Sequence, residues 1–470
     1  MNGQRQALMR SMVKNPGGLA MVFYFVQRGE TLYAIAKRYQ TTVHAIVAAN
    51  RLEDPNAICP GQALIIPRPG EVPLPPPGGI VHLVRPGETV FHLARKFGTG
   101  APEILRANQI AHPEFILPGQ QLVIPEPAEV GDEWPMLGRT PGRAGAGPIE
   151  LEGVPLPGWS YSPRKRLGIR PSAPVVRYDR VYAGLGDGHF YCLDRNSGRA
   201  KWRLPAGTAE ALAGLGDRPL AAPAVYEGLA YLCSPDGVIQ SVDAYTGHQI
   251  WKVAMTGPIS SAPAVSGGLL YAGCWDGHLC AVEAKTGAVA WRRDLGAGVR
   301  VPVAVGDEQV YAVTEKGQLW ALDAQTGDLC WQSATDADRQ PVFAEVIVIA
   351  GGQAYDPQDG SKLWQVETGE IPPVARVDQV IYPDSAVDLF AGTRRWIRES
   401  ETGPVHQIVS GTLVLGVGPD QRLHASDVTD GHLVWSIDLA ERSSQPPAVA
   451  HGQIFVTLGD GSLQSFRMKT

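Results

Sequence analysis

Two hydrophobic periods run along this chain, and they occupy different parts of it. Leu32, Ile35, Ala36 and Tyr39 stand at i, i+3, i+4 and i+7, and Val90, Leu93, Ala94 and Phe97 repeat the series; this spacing predicts one amphipathic helix per copy. Thr31 and Thr89 precede these helices as N-caps. A second short helix carries Val43, Ile46 and Val47, or Ile104 and Leu105, and apolar strands at 63–66 and 121–124 end the two units. From about residue 172 onward the pattern changes to that of short strands. Ala-Pro-Ala-Val or a close variant leads to a strand with Tyr, then to Asp-Gly at 187–188, 236–237 or 276–277, then to a strand ending in an acidic residue. Asp-Gly between such strands predicts hairpins, and four short antiparallel strands per unit predict a propeller blade.

An acidic residue, Gly four positions on and Trp four beyond that punctuate these blades. The copies are Asp194/Gly198/Trp202, Asp243/Gly247/Trp251, Glu283/Gly287/Trp291, Asp323/Gly327/Trp331, Asp356/Gly360/Trp364, Asp388/Gly392/Trp396 and Asp427/Gly431/Trp435. Fixed internal spacing with variable intervals marks a repeat architecture. Trp159 adds an eighth Trp strand with no inner strands before it, and 445–466 supplies three inner strands with no outer strand after them. Pairing 158–162 with that last set closes an eight-bladed ring; seven blades is the alternative. Trp331, Trp364 and Trp396 are only 33 and 32 residues apart, so blades five and six are compressed.

The two N-terminal units are copies displaced by 58 positions: Gly29-Glu30-Thr31 matches Gly87-Glu88-Thr89, Asn50 matches Asn108, and Pro60-Gly61-Gln62 matches Pro118-Gly119-Gln120. Each reads strand, helix, helix, strand, and each resembles a LysM domain from end to end. The resemblance implies a shallow groove that binds N-acetylglucosamine-containing polymers, peptidoglycan before chitin. It assigns that groove to Gly29, Glu30, Thr31, Leu32, Ala57, Ile58 and Cys59, and to Gly87, Glu88, Thr89, Val90, Phe115, Ile116 and Leu117. The chain has Glu where that family more often has Asp, and Val90 where it has Leu.

The repeat, as in Val-Asp-Ala-Tyr-Thr-Gly-His-Gln-Ile-Trp at 242–251, resembles the pyrroloquinoline-quinone (PQQ) repeat, and 134–145 resembles the lead-in segment of such propellers. In that family the Trp docks between neighbouring blades, which makes Trp159, Trp202, Trp251, Trp291, Trp331, Trp364, Trp396 and Trp435 structural. The expected organisation is therefore multidomain: a disordered leader (1–22), α+β (βααβ) LysM modules at 23–68 and 81–126 joined by a Pro-rich linker (69–80), a linker and lead-in (127–150), and an all-β propeller (151–470).

Composition narrows the function. With 470 residues, 54 Gly, 39 Pro, 11 Trp and a net charge of −6, the chain suits many short strands and tight turns and shows no sign of a nucleic-acid binder. No stretch approaches the roughly 18 apolar residues of a membrane span. The apolar run 17–26 follows Lys14, but Phe23 to Val26 is needed as a strand and no cleavage site precedes it, so no signal peptide is expected. Met1 and Met21 are both candidate starts. The six cysteines are expected as buried small residues, and a two-residue Asp276-Gly277 hairpin would pair Cys274 with Leu279 and place Cys274 and Cys280 on opposite faces.

Quinoproteins of the resembled family use calcium, a catalytic Asp and commonly two adjacent cysteines. This chain has no adjacent cysteines and no long insertions between blades. No metal site is expected either, and His189 and His278 read as turn residues. Neither catalytic residues nor a cofactor are expected. Arg170, Arg218, Arg300 and Arg339 fall in four connections from an outermost strand to the next innermost one, each shortly before a Pro. Those connections cross one face of the ring toward the axis, so the four form a candidate anion or partner site. The expected function is a monomeric, non-enzymatic glycan-binding scaffold at a bacterial cell wall or spore envelope, its propeller contacting an unidentified protein. A PQQ- and calcium-dependent dehydrogenase and a polysaccharide-binding propeller are the alternatives. Deposition without classical export fits the missing signal peptide.

Overall fold

The computed structural model describes residues 12–14, 20–26, 30–39, 43, 46, 63–66, 80–84, 93, 104, 108, 110, 116, 120–124, 136–140, 145–147, 149, 151 and 153–468, the last run excepting 307, 336–338, 345–346, 368–372, 377–378 and 398–405. It forms two compact units, Met1–Ala128 and Glu129–Thr470.

In the first unit the strands Ala20–Phe25 and Ala63–Ile66 pair antiparallel, Val22 opposite Ile66 and Phe25 opposite Ala63. Met12–Lys14 adds a third strand, where a disordered leader was expected. It covers the free edge of Ala20–Phe25, whose backbone groups otherwise face water. The helix Leu32–Arg38 starts at Thr31, whose Oγ1 accepts from the Ala34 N–H at 3.2 Å. Its apolar stripe (Leu32, Ile35, Ala36) packs with Tyr24, Val26, Ile46 and Leu64. In the second copy Ile80–Leu83 pairs with Gln121–Ile124. Buried Asn108 explains its place in the repeat: Nδ2 donates to Ile104 O (2.7 Å) and Val123 O (2.6 Å), and Oδ1 accepts from Val123 N (2.7 Å). One amide thereby satisfies the backbone on both sides of it.

The second unit is the expected eight-bladed propeller. Among the described residues, seven sheets run in chain order from inside to outside, as in Ala224–Tyr226, Leu229–Cys233, Val238–Asp243 and Gln249–Ala254. The eighth joins the last three strands, Ala448–Ala450, Gln453–Thr457 and Leu463–Arg467, to Leu156–Tyr161 from the start of the unit. Ser465 Oγ clasps the Trp159 backbone, accepting from its N at 2.8 Å and donating to its O at 3.1 Å. A Cβ at Gly158 would stand 2.5 Å from the same Oγ, so this closing strand needs glycine there. The outer strands Lys362–Gln365 and Arg394–Ile397 are four residues long where the others have six, as the compressed spacing predicts.

The motif builds the joints between blades. Each Gly of the motif has positive φ, 66° to 78°. The Trp that packs on it belongs to the preceding blade: Trp159 on Gly198, Trp202 on Gly247, Trp251 on Gly287, and so on to Trp396 on Gly431, with a would-be Cβ 2.4–2.8 Å from the ring. The indole Nε1 then donates to the backbone carbonyl one residue past the motif acid: Trp159 to Arg195 (2.7 Å), Trp202 to Ala244, Trp251 to Ala284 and Trp291 to Ala324 (2.9 Å each), Trp331 to Pro357 (2.7 Å), Trp364 to Leu389 (2.9 Å) and Trp396 to Val428 (3.1 Å). Trp435 has no acceptor among the described residues. The acid shapes the turn, since Asp323 Oδ1 accepts from Gln325 N (2.9 Å) and Thr326 N (2.7 Å). The Thr326 N–H, against slight desolvation, holds the Asp323 carboxyl below its ordinary range.

Two expectations are corrected. The Asp276-Gly277 hairpin closes as a three-residue loop: Cys274 N donates to His278 O at 2.8 Å, and Gly273, not Cys274, stands opposite Leu279. That one-residue shift puts Cys274 and Cys280 on the same face, where both are buried beside Cys233. The thiol contact with Cys280, then burial, pushes the Cys274 thiol up. Cys330 is exposed, because its outer strand buries only the Trp at its third position. An unanticipated strand, Ala146–Gly147, runs parallel to His406–Ser410 along the inner edge of blade seven. The lead-in segment therefore enters the central channel, with Met136 buried against blades two and three.

Candidate functional site

Of the groove residues assigned from the LysM resemblance, Gly29, Ala57, Ile58, Cys59, Gly87, Glu88, Thr89, Val90, Phe115 and Leu117 lie outside the described residues. Glu30, Thr31, Leu32 and Ile116 are described. Thr31 is exposed at the helix start. Leu32 is 2% exposed and belongs to the module core, so its side chain does not face a groove. Glu30 is held in a triad: Tyr24 Oη donates to Glu30 Oε2, Arg38 Nη1 donates to Tyr24 Oη (2.7 Å), and Arg38 Nη2 pairs with Glu30 Oε1 (2.7 Å). Burial, then the bond to Glu30, raises the Tyr24 phenol above its ordinary value. The triad ties Glu30, just before the helix, to the strand Ala20–Phe25 and to the last turn of the helix Leu32–Arg38.

In the propeller the four predicted arginines do converge. Arg218, Arg300 and Arg339 line a cavity of about 410 Å³ at one mouth of the central channel. Arg170 reaches the same rim, bridging in parallel to Pro219, with Leu220 N donating to Arg170 O at 3.0 Å. Pro219 and Pro302, which follow Arg218 and Arg300, wall the cavity together with Pro373 and Pro446 from two other connections and with Val301, Val374 and Ile408. Among the described residues no aspartate or glutamate lines it.

Three members of the site went unforeseen. Trp275, on the blade-three hairpin, has the guanidinium carbons of Arg218 and Arg300 at 4.8 and 5.0 Å from its ring centroid and donates through Nε1 to Ser260 Oγ at 2.8 Å. Such cation–π contacts hold the planar guanidinium groups without neutralising them. Glu315 pairs with Arg300 Nε at 2.9 Å. Burial, then the Arg300 charge, lowers Arg218 below its ordinary value, with Glu315 acting against both. His406 lines the cavity and is pushed down to about 4 by burial and by Arg170, so it is neutral at pH 7. Trp275 carried a signal: it stands outside the repeat position, directly before an Asp-Gly turn.

Comparison with known proteins follows the same division. The LysM domain family matches residues 24–67 and 82–125, and the family described as outer membrane protein assembly factor BamB matches 235–380 and 353–470, together half of the chain. The chain belongs to this propeller family and carries two LysM domains. Among curated relatives, the secreted LysM effector ECP6 of Passalora fulva is 30% identical over 126 residues, 23% of this chain and 55% of that protein. The N-acetylmuramoyl-L-alanine amidase XlyA of Bacillus subtilis is 38% identical over 86 residues, 17% of this chain and 29% of that protein. The chain thus spans about half or less of these relatives, and the shared part is the LysM region. Among solved structures, the quinohemoprotein alcohol dehydrogenase of Comamonas testosteroni superposes with a TM-score of 0.61 at 14% identity, over 72% of this chain and 82% of that one. At that identity the likeness is one of fold.

Proposed function

We propose that this protein is a non-enzymatic wall-associated scaffold. Its LysM pair holds an N-acetylglucosamine polymer, peptidoglycan before chitin, and its propeller presents a rigid ring for contact with another protein. The observation that carries the reading is the pairing of two LysM domains with a propeller whose repeated residues are consumed by packing. The amidase and the effector share the modules, and by their names the first acts on N-acetylmuramoyl-L-alanine and the second is secreted. Two weak sites on one chain gain by avidity. A bacterial cell wall is the location this reading requires.

The dehydrogenase alternative rests on the likeness of fold. Its cofactor would need carboxylates for calcium, and the described cavity lining offers arginines instead. The sequence also lacks the adjacent cysteines. We therefore read the propeller as free of PQQ and calcium; alcohol turnover after incubation with both would overturn this. The tether is tested by sedimenting the full chain with purified peptidoglycan and with chitin, with soluble N-acetylglucosamine oligomers as competitors. Pelleting with peptidoglycan, reversed by the oligomers, is expected. A chain that stays in the supernatant with both polymers ends the reading.

A further inference from the structure

The cavity at the channel mouth has a composition that packing alone does not require. Four connections that differ in length and sequence each bring an arginine to one rim, and three of these residues line the same half-open space. Like charges gathered in a partly buried place repel, and the Arg300 charge weighs on Arg218. Glu315 answers Arg300. Among the described residues no carboxylate lies within ion-pair distance of the Arg218 guanidinium, which lies over the Trp275 ring, a contact that does not neutralise it. The walls, by contrast, are apolar: prolines, Val301, Val374 and Ile408. An inorganic ion needs no such walls, while an organic anion fills them with its body and offers its oxygens to the guanidinium forks. A volume of about 410 Å³ suits a small organic ligand.

We propose that the channel mouth is a binding site for an organic carboxylate, held by Arg218, Arg300 and Arg339 with Trp275 positioning the first two. The carboxylates have two sources of the same chemistry, a free di- or tricarboxylate and the peptide stems that hang from peptidoglycan. The second source rests on the wall-tether reading above; the first does not.

Calorimetric titration of the full chain separates these cases with four probes: citrate, a soluble muropeptide carrying its tetrapeptide stem, the same saccharide without peptide, and inorganic phosphate. The expected result is saturable binding of citrate or of the muropeptide that weakens with salt and falls at least tenfold in the variant Arg218→Ala/Arg300→Ala. Arg218→Lys/Arg300→Lys, which keeps charge but loses the planar fork, should fall between the two. Muropeptide binding that exceeds both the peptide-free saccharide and citrate assigns the site to the wall peptide. Arg-dependent citrate binding with no gain from the peptide assigns it to a free carboxylate. The peptide-free saccharide reads the LysM modules alone, so its loss would sink the tether reading without touching this one. Carboxylate binding unchanged in the alanine variant, or phosphate bound as tightly as either carboxylate, overturns the proposal. Should the double variant fold poorly, Arg339→Ala must show the same loss.

Discussion

The blade joints and the channel mouth are built on one eightfold frame by opposite rules. At the joints the same three residue types recur, so that, the joint at Trp435 excepted, one blade meets the next through a Trp ring on a Gly and an indole bond to a carbonyl. At the mouth no two connections supply the same set: Arg218 comes with a short helix Ala209–Ala213, Ser260 replaces an arginine, and His406 stands where blade seven begins. Repetition there would give a symmetric ring of charge. Its absence gives an off-centre site in which Trp275 meets two of the four arginines. Residues that recur around the ring report how it is held together, and residues that break the recurrence report where it can act.

That contrast can be broken experimentally, most severely at a joint glycine. Gly327 combines φ of 74° with a would-be Cβ 2.6 Å from Trp291, whereas Gly268 has φ of 79° and nothing within 4 Å. Gly327→Ala should cost about 3–4 kcal/mol in chemical denaturation and Gly268→Ala only about 1; equal losses would show that backbone conformation, not ring docking, sets the requirement.

The mouth should show its character in acid. An unfolded His takes up its proton near 6.5, but His406 in the fold does so only near 4. Between those values the unfolded chain binds more protons, so stability falls as pH drops through this window, by up to about 3 kcal/mol. Denaturation midpoints measured from pH 7 to pH 4 should lose part of this slope in His406→Gln; an unchanged slope would place the acid sensitivity elsewhere. A finer comparison is internal to the joints. Trp291→Phe forfeits a 2.9 Å bond to Ala324 O, while Trp435→Phe forfeits none among the described residues. The first should cost about 2 kcal/mol and the second about 1, and the reverse order would mean that the indole bond adds nothing to the docking.

The joints were legible in the sequence because each depends on three residues at fixed spacing, and even the closing strand followed from one unpaired Trp159. The arginine convergence was legible from topology alone, since outer-to-inner connections must cross the same face. What escaped were features set by a single residue of register or by long-range contact. The placement of Cys274 depended on a three-residue loop, with Gly277 at φ of 95°, being preferred to a two-residue one. Leu32 was assigned to a groove by resemblance although its own helical spacing already placed it with Ile35 in the core. Trp275 and Glu315 meet their arginines only where blade hairpins lie against the connections, which no local pattern announces.

The clasp between Trp159 and Ser465 joins positions 306 residues apart. During synthesis the strand Leu156–Tyr161 emerges early, and Trp159 finds its partner Gly198 in blade one long before its pairing strand exists. Until Leu463–Arg467 arrives, the ring is an open necklace with one sticky end, and a second copy's final strands offer that end the same register. Whether the molecule closes on itself or exchanges strands with a neighbour is then a race between chain closure and encounter. Crowded refolding should yield interlinked pairs and dilute refolding single rings.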